Sequence, residues 1–194
     1  MEKAKQWFVS PVLAGKSTAK KLAYIAVMTA LCVLSNMFFE FKLAQTQFSL
    51  TLVLSVLTGI FLGPLFGFAA CFLGDLIGFL YHSSGYAYMP WIGVSMGLTA
   101  CISGLVFGAF KSKDGWGTYV KISIVCVLTF LVCTVAINTT AFWLLYAKGV
   151  PYGTYLVSRL FVQGQIWNSL FNYVLLFVAV PTLSKIKILG LQTL

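Results

Sequence analysis

Charged residues are scarce in this chain of 194 residues: Asp, Glu, Lys and Arg together make up 9%, and only four residues are acidic. Hydrophobic residues make up 60%, and the mean hydropathy is +0.94. A soluble domain could not cover so much apolar surface with so few charged groups. The composition therefore predicts an integral membrane protein whose main solvent is the lipid bilayer.

The residues and motifs that most enzymes need are also missing. His82 is the only histidine, so imidazoles cannot assemble a metal site. No Walker motif, GxSxG sequence or paired acid–base set occurs. All five cysteines lie in apolar segments without CxxC spacing, which is typical of packing residues. We therefore predict that the chain is not an enzyme and has no metal site and no cofactor.

Long apolar runs are abundant, and a bilayer core needs about 20 such residues per helix. The runs fall at residues 22–39, 49–63, 65–81, 91–110, 120–147 and 154–183. They do not alternate as barrel strands do, so the sequence predicts an all-α bundle of six transmembrane helices. The domain organisation is then an N-terminal segment (1–21), which we expect to be retained rather than cleaved, a membrane domain (22–184) and a C-terminal tail (185–194).

Lysines are distributed unevenly about these segments. Ten of the 13 basic residues flank the N-terminus, the turn between the fourth and fifth segments, and the C-terminus. Only Lys42 and Lys148 lie on the other side, so the positive-inside rule predicts that both termini are cytoplasmic. Residues 40–48, 82–90 and 148–153 would then lie outside. This clustering accounts for the net charge of +9 without a nucleic-acid partner.

Arg159 is the only arginine, and it lies in the sixth segment, where an unpaired guanidinium is costly. It could snorkel to the interface or pair with Glu40, or its planar fork could bind a carboxylate of a ligand. On one continuous helix, Gln163 and Trp167 would follow at i+4 and i+8 on the same face. The spacing therefore predicts a ligand-binding stripe on this helix.

The fifth segment and the second outer connection offer further binding candidates. Asn138 and Trp143 lie about 17 to 22 residues beyond Lys121, which places them level with Arg159 at 1.5 Å per residue. The aromatic candidates beside them are Tyr86, Tyr88 and Trp91. These rings suit the stacking of a planar heterocycle, although an interfacial aromatic belt is the alternative for each of them.

Other polar and small residues in the apolar segments admit two interpretations each. Asn168 and Asn172 could line a pocket or join helices. Asp75 could relay protons or cations in a carrier, or it could be hydrogen-bonded to neighbouring helices. The alanine spacing of the first segment, which includes Ala26 and Ala30, could serve packing within the chain or docking to another membrane subunit.

Several stretches, taken in order, resemble the S components of energy-coupling factor importers, and most of all the folate-specific branch. They are AVMTA at 26–30, GIFLGPLFGFAACFLGDLIGFL at 59–80, GYAYMPWIGVSMGLTACISGLVFG at 85–108, NTTAFWLLY at 138–146 and RLFVQGQIWNSLFN at 159–172. The resemblance extends from Lys20 to Lys187. It implies a six-helix protein that captures a vitamin outside and then associates with a transmembrane T component and two cytoplasmic ATPases.

The resemblance also suggests roles for individual residues. Ala26 and Ala30 match the AxxxA that is thought to meet the T component. For folate, aromatic and amide side chains would hold the pteridine ring while a cation meets the glutamate, and Arg159 is the matching cation.

The sequence thus predicts the substrate-binding subunit of a vitamin importer, with folate as the expected ligand, in the bacterial cell membrane as a multi-pass protein. One alternative is an ion-coupled secondary transporter of a small anionic metabolite, with Asp75 as its coupling residue. Another is a scaffold protein whose alanine face binds a partner.

Overall fold

Helices make up most of the chain that this computed structural model describes, namely residues 9–43, 46–81, 87–110 and 115–185. The N-terminal half contains α1 (Pro11–Ala14), α2 (Thr18–Phe38), α3 (Thr51–Leu62), α4 (Pro64–Tyr81) and α5 (Pro90–Ala109). Between α2 and α3 the chain forms an antiparallel hairpin of β1 (Glu40–Leu43) and β2 (Thr46–Ser49). The all-helical prediction missed this small hairpin, which occupies the predicted outer connection 40–48.

The C-terminal half begins with one long helical rod. It consists of α6 (Gly115–Thr129), a π-helical stretch (Phe130–Thr139) and α7 (Thr140–Tyr146). After a short connection come α8 (Tyr152–Val157), a second π-helical stretch (Ser158–Val162) and α9 (Gln165–Ser184).

Five of the described helices are long and apolar enough to cross a membrane. They are Thr18–Phe38, Pro64–Tyr81, Pro90–Ala109, Trp116–Tyr146 and Gln165–Ser184, while Thr51–Leu62 is apolar but shorter. The predicted class, a helical multi-pass membrane protein, is confirmed. The count of six spans and the cytoplasmic position of both termini stay predictions.

The predicted sixth segment is not one helix. The prediction of a continuous helix over 154–183 is wrong, because Gly164 has a φ of 74° and the chain leaves helical geometry there. This left-handed conformation suits glycine, which has no Cβ to clash. The break separates Arg159 from the start of α9, so side chains before and after it do not follow one helical face.

Gly63 and Pro64, which join the second and third segments, predict a tight turn between two helices, and this prediction is confirmed. Helix α3 ends at Leu62, Gly63 has a φ of 88°, and Pro64 begins α4. The N-terminal residues cover this turn: Ser10 Oγ donates to the Ile60 carbonyl over 2.9 Å, and Leu13 is wholly buried. The turn is therefore enclosed by the chain itself.

Helices α3, α4 and α5 pack backbone to backbone near this turn. A Cβ added at Gly104 would lie 2.6 Å from the Pro64 nitrogen and 2.9 Å from the Gly59 oxygen. One added at Gly67 would lie 3.0 Å from the Gly59 Cα. Small residues let helices approach this closely in lipid, where packing and hydrogen bonding hold them together. These contacts close one end of the bundle.

We expect Gly104→Ala to lower the free energy of unfolding by about 1–3 kcal/mol, because the new methyl group has no space. Gly108→Ala is the matched control, since a Cβ at Gly108 on the same helix meets nothing within 4 Å. The detergent-purified variants are heated to a series of temperatures, and size-exclusion chromatography measures the fraction of folded protein that remains at each. Equal melting temperatures for the two variants would contradict the packing described.

Candidate functional site

A large polar cavity lies between α2, α3, α4, α5, the first π-helical stretch and α9, at the end of the bundle away from Gly63. Its volume is about 680 Å³, within the range of small-molecule sites. The acidic and amide side chains that line it are Asp75, Asn36, Asn138, Gln165 and Asn168. Among the described residues that line it there is no Lys, Arg or His, and Asp75 is the charged residue among them.

Asp75 is held on both of its oxygens by neighbouring elements. Asn36 Nδ2 donates to Oδ1 over 3.2 Å, and the Tyr88 hydroxyl donates to Oδ2 over 3.1 Å. The Thr51 hydroxyl donates in turn to Asn36 Oδ1 over 3.2 Å. Hydrogen bonds to the ionised form fix a carboxylate in position. The predicted bonding of Asp75 to neighbouring helices is therefore observed, and it occurs at the wall of the cavity.

Two glycines permit this arrangement. A Cβ at Gly93 on α5 would lie 2.9 Å from Asp75 Oδ2 and 2.9 Å from the Tyr88 hydroxyl. A Cβ at Gly78 on α4 would lie 3.0 Å from the Asn36 Cβ. Any larger residue at these positions would displace the carboxylate or its donors.

Asn138 belongs to the wall formed by the π-helical stretch. Its Nδ2 donates to Ser95 Oγ over 3.1 Å, whereas its Oδ1 is buried and has no partner among the described residues. The Thr139 hydroxyl donates to the Thr134 carbonyl, five residues back, over 2.8 Å. Insertions of π-helix often occur at functional sites, and here one carries a residue with an unused acceptor.

The two asparagines of α9 attach that helix to the β-hairpin. The Ser49 amide donates to Asn168 Oδ1 over 3.2 Å, and Asn172 Nδ2 donates to the Ser49 carbonyl over 2.8 Å. Asn168 also lines the cavity, whereas Asn172 does not. Asn172 thus joins structural elements, and Asn168 takes part both in this junction and in the cavity wall.

Two groups of aromatic rings lie at or near the cavity. Phe79 and Tyr88 line it, with ring centroids 5.1 Å apart. Trp91 and Phe142 form an edge-to-face pair, with centroids 5.7 Å apart. Phe142 lies four residues after Asn138 along the rod, so this second group sits about one helical turn beyond the cavity lining.

Arg159 packs against this second aromatic group rather than lining the cavity. Its guanidinium carbon lies 4.1 Å from the centroid of the Phe142 ring, a cation–π contact. Arg159 is only 8% exposed. Its Nε and the Trp91 Nε1 are buried donors without partners among the described residues. The structure thus places the arginine against Phe142 of the fifth predicted segment.

The remaining predicted site residues lie elsewhere. Trp143 packs on Tyr152 and donates through Nε1 to the Val150 carbonyl over 2.8 Å. Gln163 is exposed and Trp167 is 54% exposed. The predicted stripe of Arg159, Gln163 and Trp167 is therefore wrong. The π-helical stretch Ser158–Val162 changes the register between Arg159 and Gln163, and the break at Gly164 separates both from Trp167.

Tyr86 lies outside the described residues, and the same holds for the Glu40 side chain that was considered as a partner of Arg159. Among the eight predicted binding residues, Tyr88 and Asn138 line the cavity, while Trp91 and Arg159 lie beside it.

Sequence reasoning missed several cavity residues, among them Asn36, Ser95 and Gln165. The available signal was the isolated polar residue within an apolar helix, which is expensive in lipid and therefore informative. Asn36 and Asp75 both satisfy this description. Only the packing of α2 against α4 shows that the two side chains meet.

The alanines of α2 form a separate outward surface. Ala19, Ala23, Ala26 and Ala30 are all exposed. The interpretation in which they serve packing within the chain is therefore not supported. A strip of small side chains on the outside of a membrane helix permits close approach by another helix.

This chain is similar to known proteins in sequence pattern and in fold. The model of the family described as ECF-type riboflavin transporter, S component, matches residues 16–187. A crystal structure of FolT bound with folic acid is similar, with a TM-score of 0.64 and 20% identity over 83% of this chain and 92% of that one.

The structure of the S component of a bacterial ECF transporter has a TM-score of 0.54 and 13% identity, over 87% of this chain and 97% of that one. No significant match was found among curated protein sequences. The structural similarities, at these low identities, concern the fold.

The hydrogen bond from Tyr88 to Asp75 predicts an unusual alkaline titration. Burial and the neighbouring carboxylate raise the pKa of Tyr88 to about 12, compared with about 10 for an ordinary tyrosine. Tyr88 should therefore stay protonated at about pH 11. Tyrosinate absorbance of the wild type and of Tyr88→Phe should coincide up to that pH. An ordinary tyrosine would be ionised at about pH 11. If the absorbance of Tyr88→Phe at that pH were lower than that of the wild type by about one ninth, the share of one of the nine tyrosines, the contact with Asp75 would be contradicted.

Proposed function

This chain belongs to the family of ECF-type riboflavin transporter S components, and we propose that it captures folate in its polar cavity for import. Members of this family are transporter subunits and not enzymes. The observation that carries the proposal is the cavity of about 680 Å³ with its oriented amide and carboxylate groups. Such a cavity can enclose a flat heteroaromatic ring and satisfy its polar edge.

The polar and aromatic side chains around the cavity suit the functional groups of folate. Its pteridine ring offers N–H donors, which suit the acceptors of Asp75 and Asn138. The rings of Phe79 and Tyr88 provide a surface for stacking. The similar fold of FolT, whose crystal structure contains folic acid, supports this choice of vitamin.

The glutamate of folate needs cationic or N–H donors, and we assign these to the group about one turn beyond the cavity lining. Arg159 Nε and Trp91 Nε1 are the buried donors there that lack partners among the described residues. A planar guanidinium held against Phe142 is already oriented, so less side-chain entropy is lost on binding a carboxylate.

Riboflavin is the second candidate, because the matching family model carries its name. An isoalloxazine ring is also flat and would fit a cavity of this volume. The two vitamins differ in the hydrogen-bonding edge that they present and in the carboxylates that only folate has. Binding experiments with both therefore separate the candidates.

Delivery into the cell requires partners. We propose that the chain acts in the bacterial cell membrane with a transmembrane T component and two cytoplasmic ATPases, and that the exposed alanines of α2 meet the T component. Ala26 and Ala30 are both exposed on one helix, four residues apart. Small residues at this spacing allow helix backbones to approach closely.

Folate should quench the tryptophan fluorescence of the detergent-purified chain saturably, and Arg159→Ala should weaken its binding by about 2 to 5 kcal/mol. The same variant should bind pterin, which has no glutamate, as the wild type does. Lys148→Ala removes an exposed positive charge and should change neither affinity. An unchanged affinity of folded Arg159→Ala for folate would contradict the role given to the arginine.

Substituting Leu at both Ala26 and Ala30 should abolish co-purification with a co-expressed T component, because the larger side chains keep the helices apart. Folate affinity should not change, since neither residue lines the cavity. Ala69→Leu, at an exposed alanine of α4, is the control and should leave the complex intact. Retention of the T component by the double variant would place the docking surface elsewhere.

A further inference from the structure

We propose that Asp75 selects the ring that the cavity accepts: it binds an edge with two adjacent N–H donors, as in a 2-amino-4-oxopteridine, and rejects an edge that is an imide. This inference rests on the proposed function, since it concerns the same cavity. It goes further by naming the hydrogen-bonding pattern of the ligand and the residue that recognises it.

The carboxylate of Asp75 retains acceptor capacity on both oxygens. An ionised carboxylate can accept about four hydrogen bonds, two on each oxygen. Asn36 uses one position on Oδ1 and Tyr88 uses one on Oδ2. No other side chain among the described residues donates to either oxygen. The described residues therefore leave one acceptor position per oxygen unused, and Asp75 lines the cavity.

The geometry of this pair of acceptors is fixed before a ligand arrives. Thr51 orients the Asn36 amide by donating to its Oδ1. The donors Asn36 and Tyr88, one on each oxygen, fix the orientation of the carboxylate plane. Gly93 lets α5 approach the carboxylate closely. A recognition group whose rotamer is fixed in this way loses little entropy on binding.

The charge of Asp75 has no cationic partner among the described residues that line the cavity. A ligand must therefore meet the carboxylate with donors. Two parallel N–H groups, here the ring N3–H and the 2-amino group, form a bidentate pair like that of a guanidinium. An imide instead presents one N–H between two carbonyl oxygens, and these oxygens would lie against the carboxylate oxygens and be repelled.

Asn138 adds a second acceptor to the same cavity. Its Oδ1 is buried without a partner among the described residues, because its Nδ2 is committed to Ser95. A buried acceptor without a donor is costly, so a ligand that supplies an N–H gains from this residue as well. Both unused groups thus favour a ligand that is rich in donors.

The test compares two ligands of the same shape, pterin and lumazine, which differ in having a 2-amino or a 2-oxo group. Isothermal titration calorimetry of the purified chain at neutral pH should give an affinity for pterin about 100-fold higher than for lumazine, since a site built for an N–H rejects the analogue that lacks it. Asp75→Asn should remove most of this preference, because an amide can both donate to and accept from an imide.

Tyr88→Phe is the second variant, because it removes one clamp but leaves the carboxylate. It should retain the preference for pterin at a reduced affinity. If Asp75→Asn does not fold, Tyr88→Phe still tests the role of the carboxylate. The comparison of pterin and lumazine on the unchanged chain tests the ring preference in the same way.

The outcomes separate this inference from the proposed function. Folate binding together with equal affinities for pterin and lumazine, or with an unchanged preference in Asp75→Asn, would overturn the role of Asp75 and leave vitamin capture in place. Binding of riboflavin but not of folate would overturn both this inference and the choice of folate. A folded chain that binds none of these ring systems would overturn the proposed function itself.

Discussion

Backbone-to-backbone packing of α3, α4 and α5 at glycine is the constraint on which the rest of this structure depends. Lipid provides no hydrophobic force between apolar helices, so close packing and hydrogen bonds must hold them together. Gly59, Gly67 and Gly104 supply the close packing near the turn at Gly63. With that end closed, the cavity at the other end can be lined by polar side chains and still be framed by rigid helices.

The polar side chains within the apolar helices stabilise the bundle and also line the cavity. Asp75 would be costly if it were left without partners, and its bonds from Asn36 and Tyr88 reduce that cost. The same bonds hold the carboxylate in place at the wall of the cavity. Stability in lipid and a fixed carboxylate at the cavity wall therefore depend on one set of contacts.

The sequence predicts the parts of this architecture that depend on local composition. The apolar segments and the turn at Gly63 and Pro64 are readable because helix length and helix breaking are local properties. The break at Gly164 was missed, since a lone glycine in an apolar segment does not reveal its φ. The site was predicted only in part: Arg159 and Asn138 stand out as polar residues, but the meeting of Asn36 with Asp75 depends on packing between distant segments.

The most direct test of the account is to identify the small molecule that the chain carries when it is purified gently from cells supplied with both folate and riboflavin. Denaturing the purified protein and analysing the released compounds by mass spectrometry requires no assumption about affinity. We expect a folate, released in near-equal molar amount to the protein. Release of riboflavin would contradict the ring selection by Asp75, and the absence of any heteroaromatic compound would contradict vitamin capture.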